Sequence, residues 1–266
     1  MNTQNNNPNA LRIVNIVAYV VVLVVNFLST ALPLNGRTAA DISDALPSYF
    51  TPAGYTFAIW GLIYLALLGF VAYQALPSQP GQHLVRMVGW LFAASSIANV
   101  AWLFAWHYGY YALSIVFMVA LLLTLIAIYL RLNIGHSHPA LTHADRLLAH
   151  LPFSLYLGWI TVATIANIAS VLAYWGWNGF GIAGPIWSAI MMLVAVVIAA
   201  LLLFNRRNLA YAAVLIWALF GIHAAFLDVA LIANTAVVSS ILIAALASIG
   251  YLRRQRAQVL ATVLDN

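Results

Sequence analysis

The sequence predicts an all-α integral membrane protein that crosses the bilayer eight times, and three observations carry that reading. Hydrophobic residues make up 65% of the chain and charged residues only 6%, a balance far from that of water-soluble domains. The apolar runs are long and continuous, as helical spans of roughly 20 residues require, and lack the alternation over about 10 residues that membrane strands would show. The ten basic residues are all Arg, and eight spans gather nearly all of them on one face.

Taken in order, Met1 to Ala10 is Asn-rich without a basic n-region, and the apolar run that follows is too long for a signal peptide. Residues 1–10 are expected as a disordered tail before a retained first helix. Helix one is predicted over Leu11 to Leu32, ended by Pro33 and Asn35-Gly36. Leu34 to Phe50 forms a long loop holding Arg37, Asp41 and Asp44. Helix two follows over Pro52 to Ala75, with Pro in its first turn where a missing N–H is harmless. Pro77, Pro80 and Gly81 mark the next turn, and helix three runs over Val85 to Trp106. A tight aromatic turn, His107 to Tyr111, leads into helix four, which ends near Leu132. Asn133 to Ala149 is the most polar stretch. Helix five covers His150 to Ala173, and a Gly and aromatic loop over Tyr174 to Gly184 precedes helix six, Pro185 to Phe204. Helices seven and eight are read at Leu209 to Leu227 and Ala233 to Leu252, with 253–266 as a cytoplasmic tail.

With this count, Arg12, Arg86, Arg131, Arg146, Arg206, Arg207, Arg253, Arg254 and Arg256 share one side and Arg37 alone faces the other. Removing one span would scatter that asymmetry, so the positive-inside rule supports both the count and cytoplasmic termini. The net charge of +5 is therefore a topology signal, and nucleic acid is not an expected partner. The lipid bilayer is. The chain has no Cys, which excludes disulfides, thiolate metal sites and Cys nucleophiles.

Three polar-aromatic stripes stand out against this background. Phe57, Trp60 and Tyr64 fall at i, i+3 and i+7 within Thr51 to Gly69. Ser95, Asn99, Trp102 and Trp106 follow steps of four, three and four, and Tyr156, Trp159, Ala163 and Asn167 follow three, four and four. Solubility in lipid requires neither a mid-span Asn nor aligned Trp, so the stripes point to an inner surface. At about 1.5 Å per residue, Trp60, Asn99 and Asn167 lie roughly 9 to 12 Å below the outer surface, with Tyr64 and Trp159 some 5 to 10 Å deeper. An aromatic pocket open outward, with the loop before helix two as its lid, is the expectation.

These residues resemble those of the tryptophan-rich sensory protein and peripheral benzodiazepine receptor family (TspO/MBR, the translocator proteins). That family is a five-helix membrane bundle with P-V-W-x-x-L-Y on its second helix, L-N-x-x-W on its third and W-x-x-x-A-x-x-x-N on its fifth. Here Trp60 and Tyr64, Asn99 and Trp102, and Trp159, Ala163 and Asn167 take those places, with Tyr156 in the lead-in to the last. Ala58 stands in place of the second-helix Pro and Leu155 in place of the fifth-helix Pro, which suggests a straighter helix two. The resemblance covers Leu11 to Ala173, so the expected division is a TspO-like five-helix bundle over 11–173 and a three-helix membrane extension over 174–252. It implies binding of flat hydrophobic ligands such as porphyrins, haem precursors or sterols at Phe57, Trp60, Tyr64, Asn99, Trp102, Tyr156, Trp159, Ala163 and Asn167. A sensory, regulatory or translocation role goes with it; no cofactor is required, and a porphyrin or haem-type molecule is the kind of ligand the resemblance allows. The expected setting is a bacterial cytoplasmic membrane, and a homodimer is left open.

Plainer roles compete with these. Trp106, Tyr108, Tyr110, Tyr111, Trp175 and Trp177 are expected in the interfacial aromatic belt. Asn99 and Asn167 also suit interhelical hydrogen bonding among small residues. His136, His138 and His143 lack a spaced carboxylate or thiol, so a solvated loop is expected and no metal site. Asp228, with His223 one turn deeper, reads as a solvated outer position. Ile-Ala-Asn recurs at 97–99, 165–167 and 232–234, but the third copy has no Trp partner. No nucleophile, base and orienting group occur together at usable spacing, which disfavours catalysis. The competing functions are a small transporter or channel that uses helices six to eight, with Asp228 and His223 handling a proton, or an assembly factor for a membrane complex.

Overall fold

The structure is a computed structural model that describes residues 8–32, 34–76, 79–136 and 141–264, with side chains of 79–82 and 253–264 left aside. His138, Pro33, Pro77 and most of the Asn-rich tail lie outside the described residues. All regular structure among those described is helical. The first helix, α1, spans Pro8–Ala31. A short helix inside the expected outer loop, α2 at Ala39–Ala45, starts on a capping box in which Thr38 Oγ1 accepts from Asp41 N and Asp41 Oδ2 accepts from Thr38 N. The second span begins later than expected: Pro52 precedes the helix, Gly54–Ala58 is a 3-10 turn, and α3 runs over Ile59–Ala75.

The third helix is broken. Its two parts, α4 at Gln79–Val88 and α5 at Leu91–His107, meet at Gly89, whose φ of +55° belongs to the left-handed region that glycine tolerates. The break lets α4 lie on α3 and α1 while α5 packs along α6, Tyr111–Arg131. A three-residue turn, α7 at His143–Asp145, and a π-helical stretch at Arg146–His150 lead into α8, Leu151–Tyr174. Asp145 caps this entry by accepting from Thr142 N and also accepts from Tyr73 Oη at 3.0 Å. The last three helices are α9 at Gly184–Arg206, α10 at Leu209–Ala225 and α11 at Ala230–Leu264. The expected tail after residue 252 is therefore helical backbone through Leu264, consistent with its run of good helix formers.

Six helical stretches are long and apolar enough to cross a membrane, and two shorter apolar helices, Leu91–His107 and Leu209–Ala225, accompany them. Hydrogen bonds group the loops at two ends. Arg12 donates to the Leu76 carbonyl and Arg206 to Asn133 Oδ1 at one end. At the other, Asn35 donates to the His107 carbonyl and Ser188 to the Tyr49 carbonyl. The carboxy-terminal helices dock on the bundle through α10, which crosses α8 at Gly158, where a Cβ would come within 3.0 Å of Val214 Cβ and 3.3 Å of the Tyr211 carbonyl. Such close crossings at small residues are how membrane helices gain packing contact. Asn208 secures the same junction, donating to Tyr129 Oη and Ser154 Oγ.

Candidate aromatic cavity

Three helices converge at the end of the bundle beneath the segment Leu34 to Pro52, the lid, with their stripes facing inward. Trp60 packs edge-on against Trp159 with centroids 6.2 Å apart and against Tyr156 at 5.9 Å, and stacks on Tyr64 at 5.5 Å. Phe57, in the 3-10 turn, meets the Trp159 ring edge-on at 5.8 Å. On α5, Trp102 and Trp106 are stacked 6.3 Å apart. Between them lies a small cavity of about 40 Å³. Phe57, Trp60, Trp102, Trp159, Ala163 and Asn167 all line it, as expected of a pocket built from the stripes.

Tyr64, Asn99 and Tyr156 do not line this cavity. They lie one helical turn further from the lid on the same three helices, where Asn99 and Tyr156 form a bonded layer with Asn26. Asn99 accepts from Asn26 Nδ2 at 2.8 Å and donates to Tyr156 Oη at 3.1 Å, while Tyr19 Oη donates to the Tyr64 carbonyl at 2.9 Å. The interhelical role weighed for the two amides holds for both. Asn167 donates to Ser114 Oγ at 3.0 Å across α8 and α6 while also facing the cavity. Further in, Phe70, Phe92 and Phe153 fill the bundle with mutual centroid distances of 4.9 to 6.2 Å.

Trp106 corrects an expectation. Its position at a helix end suggested the aromatic belt, yet it is only 3% exposed and lines the cavity. The reason is α2, which covers the end of α5 so that Trp106 Nε1 donates to the Ala39 carbonyl at 3.3 Å. Tyr108, Tyr110, Trp175 and Trp177 are exposed as belt residues should be. The lid contributes Ser43, Thr51 and Pro52 to the cavity wall, none of which a helical stripe could have revealed. Three polar atoms of the lining residues are buried without a partner: Trp102 Nε1, Trp159 Nε1 and Thr51 Oγ1. Buried polar groups are normally hydrogen-bonded, so two unpaired indole donors on one cavity suit an occupant with acceptors.

The lid is held by the last helices. Ala53 N donates to the Gly221 carbonyl and Trp217 Nε1 to the Thr56 carbonyl, both at 3.0 Å. The Tyr55 and Trp217 rings meet edge-on at 5.6 Å. On the outer rim, the Asp41 carboxyl is held below its usual range by the Thr38 backbone N–H and then its hydroxyl. Burial, and then the nearby Asp41, push the Asp44 carboxyl up. Away from this end, His136 and His143 are exposed, and no group of three or more His, Cys, Asp or Glu is placed to hold a metal among the described residues. Asp228 is exposed, and His223 Nδ1 lies 3.1 Å from the Ala233 carbonyl.

A multi-pass helical membrane protein with an aromatic cavity under a loop is the class these features define. A family model described as TSPO-like protein matches residues 12–249, and the chain belongs to that family. The match includes α9, α10 and most of α11, so these helices lie within the matched unit. No curated protein and no solved structure matches the chain.

Proposed function

We propose that this TSPO-like protein crosses the membrane eight times with both termini cytoplasmic and binds a flat hydrophobic ligand of the porphyrin or sterol type in a sensory or translocation role. Residues 11–173 form the binding bundle, and 174–252 form a three-helix clamp on its lid. The observation that carries the reading is the cavity walled by Phe57, Trp60, Trp102 and Trp159 with the indole N–H groups of the last two unpaired. Ring faces stack on planar molecules, and the two donors suit carboxylate or carbonyl edges. At about 40 Å³ the cavity is small, far below the roughly 300 to 1,000 Å³ of occupied ligand sites. The lid must move for a ligand to enter.

A titration by absorbance and Trp quenching with a porphyrin panel tests this. One stacked indole contributes roughly 0.5 to 1.5 kcal/mol beyond area burial and a hydrogen bond about 1 kcal/mol. Trp159→Ala should therefore weaken binding at least about tenfold, or about 1.4 kcal/mol. Trp175→Ala removes the same side chain from a position 56% exposed and should leave binding nearly unchanged. Equal binding by both variants sinks the reading. The transporter alternative has less support, since Asp228 sits exposed on a turn and neither it nor His223 lines the aromatic cavity.

A further inference from the structure

We propose that the crevice between α8 and α9 is a second station for the same flat ligand, occupied as it leaves the outer leaflet and before it enters the aromatic cavity, with Phe50-Thr51-Pro52 as the partition between the two. This rests on the ligand-binding reading above. The crevice has a volume of about 600 Å³, inside the range of roughly 300 to 1,000 Å³ typical of small-molecule sites. Its walls are apolar along Ile165, Ala169, Leu172 and Met191, with Trp177 and Trp187 at the rim. The crevice exists because α9 packs on α11 and α10, and α8 on α6, α10 and α3, leaving the outer halves of α8 and α9 apart.

Continuity with the aromatic cavity identifies the occupant. Phe50 lines the crevice and its neighbours Thr51 and Pro52 line the cavity, so three consecutive residues separate the two spaces. The same stretch of α8 serves both: Ala163, Ala166 and Ser170 face the cavity, while Ile165, Ala169 and Leu172 face the crevice. A third space of about 400 Å³ opens beyond Ser48, Tyr49 and Thr51 on the Asp44 side, so the partition has room to withdraw. Its polar ties are few, Ser188 Oγ to the Tyr49 carbonyl and Phe50 N to Ser48 Oγ at 3.2 Å, beside the buried Phe50 ring and the Tyr49 ring, which meets Phe226 at 5.9 Å. A ligand too large for the closed cavity has, at this partition, a lipid-facing space of its own size one residue away.

The test follows Trp quenching by protoporphyrin IX in stopped flow, with the full chain in lipid nanodiscs. Ala169→Phe fills the crevice without touching the aromatic cavity. If the crevice lies on the route, entry and exit should both slow by about tenfold with Kd within about twofold, because a blocked path alters rates and leaves the end states alone. Phe50→Ala thins the partition and should accelerate both, so the proposal retains a reading if the crevice variant does not fold. Unchanged rates in Ala169→Phe, or unchanged or slower rates in Phe50→Ala, overturn the route. Should Trp159→Ala still weaken binding in that case, the aromatic cavity survives on its own. Binding that is lost in Ala169→Phe but indifferent to Trp159→Ala would overturn both the cavity reading and the two-station order, because the crevice would then be the terminal site.

Discussion

Replacing Gly221 by Ala should tighten porphyrin binding although Gly221 touches no proposed ligand position. Gly221 sits where α10 meets the lid, and a Cβ there would overlap Thr56 Oγ1, lie 2.8 Å from Thr56 Cγ2 and 3.0 Å from Pro52 Cβ. Overpacking of this kind costs roughly 1 to 3 kcal/mol. The lid can relieve it by lifting, which also gives up the Ala53 N to Gly221 O bond. The closed state alone bears this cost. If about 2 kcal/mol falls on it, the open fraction rises about 30-fold while it remains the minor state, and apparent Kd falls by the same factor. Quenching titrations in nanodiscs give Kd, and amide exchange over residues 46–56 reports the lifted lid. Gly61→Ala is the control, because nothing lies within 4 Å of its Cβ. An unchanged or weaker Kd in folded Gly221→Ala, with faster exchange in the lid, would refute the idea that lid opening limits binding.

Three further outcomes are expected. A reporter active only outside the membrane, fused after Asn266, should stay silent, and a strong signal would reverse the topology. A double-mutant cycle between Asn26 and Asn99 should return a coupling of about 0.6 to 2 kcal/mol in membrane unfolding assays, the range found for hydrogen bonds between spans, and zero coupling would remove the bonded layer from the account. Because the folded Asp41 carboxyl lies below its unfolded value, its cap on α2 is fully present above the unfolded pKa near 3.8 and is lost as pH falls through the lower folded value. Amide exchange in α2 should accelerate over that acidic window in the wild type and already be fast at neutral pH in Thr38→Val.

The helical class and the inward faces were legible because burial in lipid leaves composition and 3.6-residue periodicity as strong signals. Trp60, Trp102, Trp159 and Asn167 met in space because each stripe carries its own depth. The break at Gly89 was hidden, since Val85 to Trp106 contains no Pro and a lone Gly inside a helical pattern is commonly tolerated. The stripe on its own helix put Trp106 on the inward face, but its burial at the helix end comes from α2, a neighbour from another part of the chain. The Thr38-x-x-Asp41 spacing that caps α2 is a signal that the loop reading of Leu34 to Phe50 passes over. The crevice was not, since it arises from the divergence of two helices and no local pattern encodes that angle.

The bonded layer of Asn26, Asn99 and Tyr156 makes the aromatic cavity a cul-de-sac. A molecule seated on Trp60 and Trp159 rests on a floor that ties α1, α5 and α8 together, and beneath it the Phe70, Phe92 and Phe153 rings stop the shaft. Onward passage to the opposite leaflet would strip partners from buried amides, at roughly 1 to 3 kcal/mol for each group left bare, and then part a packed phenyl plug. Return through the lid would break only contacts that entry already broke. A ligand bound as proposed would therefore leave by the door it came in, which suits holding and reporting it better than carrying it across.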